Sequence, residues 1–506
     1  MKKGQICHGV VESLAFPNKG KVRITKVIDE PDSDDIGAVV TVKNCIPGQE
    51  IEFRVTKKRS DRMQGNLLSV FKRADSEIVP DYCKHFGICG GCTYQSLGYD
   101  TQIDIKTKQI RDLFTPVIGE KCFDEVFEGI KRSPYQYAYR NKMEFSFGDE
   151  LKDGPLTLGM HKRGSFYDVV TVSDCRIIDK DYKLILESTL EYFTKLGVSH
   201  FHKVQHSGYL RHMLVRKAVK TGEILVCLVT SSDYDSKFEK KMLADWSSII
   251  EGLDFNGKLV GILHTTNDAV GDAVKDEGTE ILFGRNYITE ELLGLTFQIT
   301  PFSFFQTNSL GAEVLYETAR EFIGDGVNKD TCLFDLYSGT GTIAQVMSPA
   351  VSKVIGVEIV EEAVEAAKEN AKINGLDNCE FIAGDVLKVL ENVEDKPDYI
   401  ILDPPREGIM PKALDKIIDY GVDSLIYISC KPTSLARDLE VLLKTYKIKR
   451  MACVDMFPGT GHVETVCLLC NQAQTSTKWA YVTLTMEEYR DIKAKSEAQK
   501  KANNND

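Results

Sequence analysis

The residues with the strongest chemical potential are cysteines and carboxylic acids that close apolar runs. Ser429-Cys430-Lys431-Pro432-Thr433 follows the β-rich run Ser424-Leu425-Ile426-Tyr427-Ile428 and precedes a helix expected to begin near Ser434. A cysteine at a helix N-terminus beside a lysine is expected to have a lowered pKa and more thiolate, which suits a nucleophile. The alternative for Cys430 is a small buried core residue, the usual fate of a free cysteine. Asp403-Pro404-Pro405-Arg406 follows Ile400-Ile401-Leu402. Two prolines fix an extended, rigid turn there and would present the Asp403 carboxylate at the end of a strand. Phe457-Pro458-Gly459-Thr460-Gly461-His462-Val463-Glu464-Thr465 places His462 and Glu464 two apart at a strand start, where they would point the same way. Apolar Val466, Leu468 and Leu469 follow, so Glu464 is expected to be partly desolvated and able to act as a base; a structural ion pair is the alternative.

A second pattern concerns small-molecule binding. Asp335-Leu336-Tyr337-Ser338-Gly339-Thr340-Gly341-Thr342 follows a strand and opens a helix. Its glycines let the backbone approach a ligand at the strand's carboxyl end. Glu358 ends the next strand, where a ribose hydroxyl pair would be held. The pattern suits NAD or S-adenosylmethionine. The third glycine of the dinucleotide fingerprint is missing, and the D-x-x-x-G-x-G form leans toward S-adenosylmethionine.

A third pattern is metal-like. Cys83, Cys89 and Cys92 read C-x5-C-x2-C, with Gly87, Gly90 and Gly91 allowing a tight wrap. Cys175, in Val172-Ser173-Asp174-Cys175-Arg176, is the best candidate for a fourth ligand. Four thiolates suit zinc or an iron–sulfur cluster, and His85 lies in the same loop.

Elements that would position these groups follow from pattern. Residues 1–75 contain the β-rich runs Val10–Leu14, Lys21–Ile24, Ala38–Val42 and Glu50–Val55, broken by Asn18-Lys19-Gly20 and Pro47-Gly48. They predict a small barrel. Residues 76–300 are mixed α/β, with a helix expected near 100–114. Tyr139-Arg140-Asn141-Lys142 interleaves aromatic and basic groups, as an RNA clamp or a sheet face would. Over residues 301–470 strands and helices alternate, which predicts a parallel sheet with crossover helices. Glu361–Asn374 reads as one such helix, ended by Gly375 as a left-handed cap. Residues 471–506 form a polar tail, read as a short helix followed by disorder.

Composition limits the classes. Of 506 residues, 42% are hydrophobic and 27% charged, which is globular. No apolar run is long enough for a membrane span, and the start lacks a secretory core, so the expected location is the cytoplasm. The net charge of -12 argues against a generic nucleic-acid binder, but residues 1–80 carry 14 basic and 11 acidic side chains. Seven of those basic groups lie within 54–73, able to steer a phosphate backbone or simply to protect a strand edge.

Together these motifs resemble the RNA uridine carbon-5 methyltransferase family. Phe305-Gln306-Thr307-Asn308, Asp335 to Gly341, Asp403-Pro404-Pro405-Arg406, Ser429-Cys430 and Gly461-His462-Val463-Glu464 stand in that family's order. The resemblance implies an α/β protein: a TRAM or OB-like RNA-binding barrel (1–75), a central domain with an iron–sulfur loop (76–300), a Rossmann-like methyltransferase domain (301–470) and a tail (471–506). It implies that Gln306, Tyr337, Glu358, Asp385 and Asp403 contact S-adenosylmethionine, or in the case of Asp403 the uracil, and that Phe304 stacks on the target base. Thr342 stands where relatives often have asparagine. It implies Cys430 as nucleophile, Glu464 as base, and Cys83, Cys89, Cys92 and Cys175 as 4Fe-4S ligands of the ribosomal-RNA branch. The implied substrate is a uridine of 23S ribosomal RNA, with transfer RNA as the alternative. Two rival classes are an NAD-dependent iron–sulfur oxidoreductase and an RNA-binding scaffold without catalysis; both leave Cys430 and Glu464 without work.

Overall fold

The structure, a computed structural model, describes residues 2–59, 62–78, 83–271, 274–324 and 330–473. Most of the tail expected at 471–506 lies outside the described residues.

The chain opens with a closed five-stranded barrel: β1 (Ile6–Ala15), β2 (Lys19–Val27), β3 (Val39–Lys43), β4 (Glu50–Arg59) and β5 (Arg62–Lys72), in the order β1-β2-β3-β5-β4. Strict alternation builds it. In β2, Gly20, Val22 and Ile24 point inward while Lys19, Lys21 and Arg23 face water. A Cβ on Gly20 would lie 2.2 Å from the Cys45 sulfur, so only glycine fits this tight interior. All four β-rich runs of the sequence fall within these strands; β5, inside the basic stretch, completes the closure.

Two helices follow the cysteine loop, α1 (Tyr99–Ile118) and α2 (Glu120–Val126), and then strand β6 (Phe127–Lys131). The central sheet comprises β7 (Lys142–Asp149), β8 (Leu156–His161), β9 (Val169–Thr171), β10 (Leu210–Lys217), β11 (Glu223–Thr230), β12 (Lys258–Thr266) and β13 (Thr279–Gly284). Its order is β13-β12-β11-β10-β7-β8-β9, with only β11 and β12 parallel. Helices α3 (Lys180–Leu196) and α4 (Ser236–Glu251) cover one face through Tyr182, Ile185, Phe193, Leu243 and Trp246. Both start with an aspartate cap, Asp179 and Asp235, accepting from a backbone N–H.

A hairpin, β14 (Ile288–Leu292) and β15 (Leu295–Ile299), leads into α5 (Ser309–Ile323). The remainder alternates: β16 (Cys332–Leu336), α6 (Thr342–Met347), β17 (Lys353–Glu358), α7 (Glu361–Ile373), β18 (Cys379–Ala383), α8 (Val386–Asn392), β19 (Tyr399–Leu402), α9 (Pro411–Tyr420), β20 (Ser424–Ser429), α10 (Pro432–Leu442), β21 (Tyr446–Val454) and β22 (Glu464–Asn471). These strands form an eight-stranded sheet ordered β18-β17-β16-β19-β20-β22-β21-β6. The five from β18 to β20 are parallel, and β22 runs against β20.

Strand residues alternate between two buried layers. Leu333, Val354, Ile401 and Ile426 pack toward α5, α6 and α7, while Phe334, Ile355, Ile400 and Leu425 pack toward α8, α9 and α10. Both faces being covered explains why these strands are apolar throughout. The second layer also holds Ile110 and Phe114 of α1 and Phe123 of α2. Thus residues 99–131, which the sequence places with the central unit, pack on the carboxyl-terminal sheet, and β6 pairs in parallel with β21 at its edge.

Candidate active site

In a parallel sheet, ligands collect beyond the strands' carboxyl ends where strand order reverses. Here β16 lies between β17 and β19, so the reversal falls at the carboxyl end of β16. The turn after β16 is held open by three left-handed residues, Tyr337 (φ 68°), Gly339 (φ 53°) and Gly341 (φ 71°). Tyr337 is the outlier, since a residue with a Cβ occupies this region at a cost of about 1–3 kcal/mol and persists where its surroundings over-determine it. Its N–H and that of Ser338 both donate to the Val357 carbonyl at 3.0 Å.

Glu358, at the end of β17, is fixed by three backbone donors. Gly339 N donates to Oε2 at 3.0 Å, while Ile359 N and Val360 N donate to Oε1 at 2.8 and 3.0 Å. Oε2, with one donor, retains acceptor capacity toward the glycine turn. Asp385 follows β18, is exposed, and caps α8 by accepting from Leu387 N at 3.0 Å. Residues 304–306 strap across the turn: Thr340 Oγ1 donates to the Phe304 carbonyl at 3.3 Å, and Asn141 Nδ2 donates to the Gln306 carbonyl at 3.0 Å. Phe304 is 71% exposed.

The antiparallel β22 brings the carboxyl-terminal motif to the same edge. Its register pairs Ser429 with Thr465, and one further step sets Cys430 opposite Glu464. Asp403 ends the neighbouring β19, in parallel register with β20. Cys430, Asp403, Arg406 and Glu464 therefore meet. Glu464 is only 3% exposed; desolvation, then repulsion from Asp403, push its carboxyl up to about 8. Desolvation pushes Asp403 up to about 7, although part of the residue still reaches solvent.

Two local expectations change here. The Cys430 thiol is not lowered. Desolvation, Glu464 and Asp403 push it up to about 11, while the Arg406 guanidinium opposes them. Its helix α10 begins only at Pro432, and two carboxylates from β19 and β22 outweigh that helix end. His462 does not share a strand face with Glu464: β22 begins at Glu464, and His462 lies exposed in the preceding connection, although both line one cavity.

Two participants escape the sequence reading. Arg406, the cation that opposes the raised Cys430 and Glu464, lies within a motif noted for its aspartate and prolines. Tyr316, on the buried face of α5, lies among Asp403, Asp335 and Glu464; burial and these acids push its hydroxyl well up. No local pattern distinguishes it from a core aromatic.

The cavity of about 260 Å³ beside Cys430 and Glu464 is also lined by Cys83, Cys89, Cys92 and Cys175. Burial and mutual repulsion push Cys92 up to about 12. Gln95 Nε2 donates to the Cys92 sulfur at 3.2 Å, and Gly91 N donates to the Cys89 sulfur at 3.4 Å. His85 Nε2 accepts from Asp174 N at 3.4 Å, which turns it away from ligand duty. Among the described residues, no group of three or more His, Cys, Asp or Glu is arranged to hold a single metal ion. Nor is any helix there long and apolar enough to cross a membrane.

A doubly covered parallel sheet, a glycine turn backed by Glu358, and acids gathered at the strand ends define the class of S-adenosylmethionine-dependent methyltransferases. Comparison with known proteins narrows it. Residues 98–472 match the family model for tRNA (Uracil-5-)-methyltransferase. An uncharacterized RNA methyltransferase of Clostridium tetani is 46% identical over 467 residues, spanning 92% of this chain and 98% of that protein. One from Caldanaerobacter subterraneus is 46% identical over 470 residues, spanning 93% and 99%. Among solved structures, the Pyrococcus abyssi tRNA (uracil-54, C5)-methyltransferase in complex with S-adenosyl-L-homocysteine aligns with a TM-score of 0.68 at 26% identity, covering 91% of this chain and all of that one. The chain belongs to the tRNA (uracil-5-)-methyltransferase family and is an S-adenosylmethionine-dependent RNA methyltransferase.

Proposed function

We propose that this enzyme methylates carbon 5 of a uridine in 23S ribosomal RNA through a covalent adduct with Cys430. The observation that supports this reading is that Cys430, one step beyond the Ser429–Thr465 pair of β20 and β22, lies close enough to the buried Glu464 to feel its charge. Carbon 5 of uracil is too weak a nucleophile to take a methyl group unaided. Asp403 takes the Cys430 proton, and the sulfur adds to carbon 6, leaving an enolate with electron density on carbon 5. S-adenosylmethionine supplies the methyl group, held by Gln306, Tyr337, Glu358 and Asp385, with Asp403 facing it or the uracil. Carbon 5 takes that methyl as its bond to the donor sulfur breaks, S-adenosylhomocysteine is the leaving group, and carbon 5 keeps its hydrogen. Glu464 then accepts the carbon-5 proton, the electron pair restores the C5=C6 bond, and the Cys430 sulfur departs. An acid raised to about 8 holds its proton only as tightly as a general base working near neutrality should. The target base leaves its stack to reach the cavity, and exposed Phe304 offers a ring to hold it.

In this reading Cys83, Cys89, Cys92 and Cys175 hold a 4Fe-4S cluster. Four thiols around one cavity, two of them already accepting N–H···S bonds and backed by Met143, Met160 and Val172, fit a sulfur-ligated cluster. Bound there, it would brace the loop beside the catalytic cavity. The cysteine quartet favours ribosomal RNA, and the N-terminal barrel is read as a TRAM module that adds RNA contacts. The likeness to the Pyrococcus abyssi enzyme favours transfer RNA as the second reading.

The test is an adduct trap. Glu464→Gln protein is mixed with S-adenosylmethionine and total cellular RNA, and the covalently held RNA is sequenced. Capture of one large-subunit uridine on Cys430 is the expected result, and capture of transfer RNA decides for the second substrate. A Glu464→Gln variant that traps nothing while the wild type methylates RNA overturns the role of Glu464.

A further inference from the structure

The buried stripe of α1 is unusual for a core helix because it is half polar. Gln102, Lys106 and Gln109 recur at helical spacing and are 6%, 1% and 2% exposed. Each spends its polar end on a distant segment. Lys106 Nζ meets Asp455 Oδ1 at 2.6 Å with both side chains fully buried. Gln102 Oε1 accepts from Gly459 N at 2.8 Å, and Gln109 Nε2 donates to the Pro17 carbonyl of the barrel at 3.2 Å. Two of these three contacts land on one connection, residues 455–463, which joins β21 to β22 and delivers Glu464.

Other groups hold the same connection. Thr93 N and Tyr94 N both donate to the Gly459 carbonyl at 2.8 Å, tying it to the cysteine loop. Tyr139 OH donates to the Pro458 carbonyl at 3.0 Å. Asn308 Nδ2 donates to the Met456 carbonyl at 2.8 Å, two residues after Gln306. A buried ion pair is weak evidence for stability, since apolar replacements of both partners are often neutral. Its place here, at the root of the segment that aims the base, gives it a different role.

We propose that Gln102 and the Lys106–Asp455 pair are positioning residues that hold the 455–463 connection so that Glu464 faces Cys430. This rests on the reading of Glu464 as the base. The pair anchors the start of the connection, Gln102 its middle, and β22 its end. Small displacements of a catalytic group are costly in rate, with about 1 Å worth roughly a hundredfold. Because Glu464 acts after the methyl has moved, misplacing it slows only proton removal. RNA and cofactor binding remain, and the methylated adduct builds up.

The experiment compares full-length wild type, Gln102→Met and Glu464→Gln with S-adenosylmethionine and cellular RNA. It reads kcat, KM for both substrates, and the fraction of enzyme covalently bound to RNA. For Gln102→Met the expected result is a fall in kcat of about 10- to 100-fold. KM should stay within about twofold, and the adduct fraction should rise toward that of Glu464→Gln. Should Gln102→Met fail to fold, the Lys106→Met/Asp455→Leu double variant, which replaces the pair by apolar groups, carries the same comparison. Unchanged kcat in a folded variant overturns the proposal. So does a fall in kcat without adduct, because the defect then precedes proton removal. If Glu464→Gln itself accumulates no adduct, the base assignment fails instead, and that outcome is read from a separate protein.

Discussion

Replacing Glu464 by glutamine should make the cofactor-free protein more stable at alkaline pH while stopping turnover. The carboxyl is raised from an ordinary 4.5 to about 8 by desolvation first and Asp403 second, with Arg406 opposing. The folded state therefore holds this proton more tightly than the unfolded chain does. Its contribution is fully present below pH 4.5 and is lost as pH rises through about 8. At about 1.4 kcal/mol per pH unit, the whole span amounts to about 5 kcal/mol, of which about 3 kcal/mol is lost between pH 6 and pH 9. Glutamine has the same shape and cannot ionise. Urea unfolding of the two proteins across this range reads the difference directly, because Asp403 titrates in both and largely cancels. The wild type should lose about 3 kcal/mol more than Glu464→Gln between those pH values. Parallel loss in both proteins would refute the argument that burial charges Glu464 at a cost. Saturating S-adenosylmethionine, a cation, should shrink the wild-type dependence.

Three further outcomes are expected. Glu358→Ala removes the acceptor of three backbone N–H groups beside the glycine turn and should weaken S-adenosylmethionine binding by about 10- to 100-fold, measured by calorimetry. Cys92→Ser should lower the iron and sulfide content of anaerobically purified protein and its visible absorption, whereas Cys122→Ser, outside the quartet, should not. Gly341→Ala places a Cβ 2.5 Å from the Phe381 ring at a φ of 71°, and should cost about 1–3 kcal/mol in thermal unfolding together with cofactor affinity.

What could be read from the chain alone follows a physical division. Strands β16, β17, β19 and β20 are legible because each lies between two covered faces and so repeats apolar runs between glycine and proline punctuation, whereas edge strand β18, with Glu380 and Ala383 exposed, is not. The candidate site positions are legible for a related reason: Asp403 and Cys430 follow such a run and Glu464 opens one. The barrel's strand β5 is hidden by Arg62, Lys72 and the basic residues around it, since a strand facing water outside need carry only half its apolar signal. Strand β6, Phe-Glu-Gly-Ile-Lys, is five residues with no alternation, and only its partner β21 gives it meaning. The raised Cys430 thiol is not legible because local sequence displays the lysine and the helix end but not the burial and the carboxylates that other strands bring. Tyr316 and Lys106 were invisible for the same reason: their neighbours come from distant segments, and no spacing rule encodes them.

The position of β6 sets a timetable for synthesis. Phe127 pairs with Met451, about 320 residues later in the chain. At about 5–20 residues per second, the wait on the ribosome is roughly 15–65 s. Throughout that interval the apolar faces of α1 and α2, with Ile110, Phe114 and Phe123, lack part of the cluster that covers them, α10 and β21 being among the last elements made. The barrel and the central sheet can close early, but the stretch between them remains a nascent-chain liability until the last strands emerge. A fragment beginning at residue 301 would keep every methyl-transfer motif yet leave the outer edge of β21 open to pairing with other chains. Residues 99–131 and the last strands are thus partners in one sheet, although the candidate methyl-transfer motifs stand almost entirely in the later part.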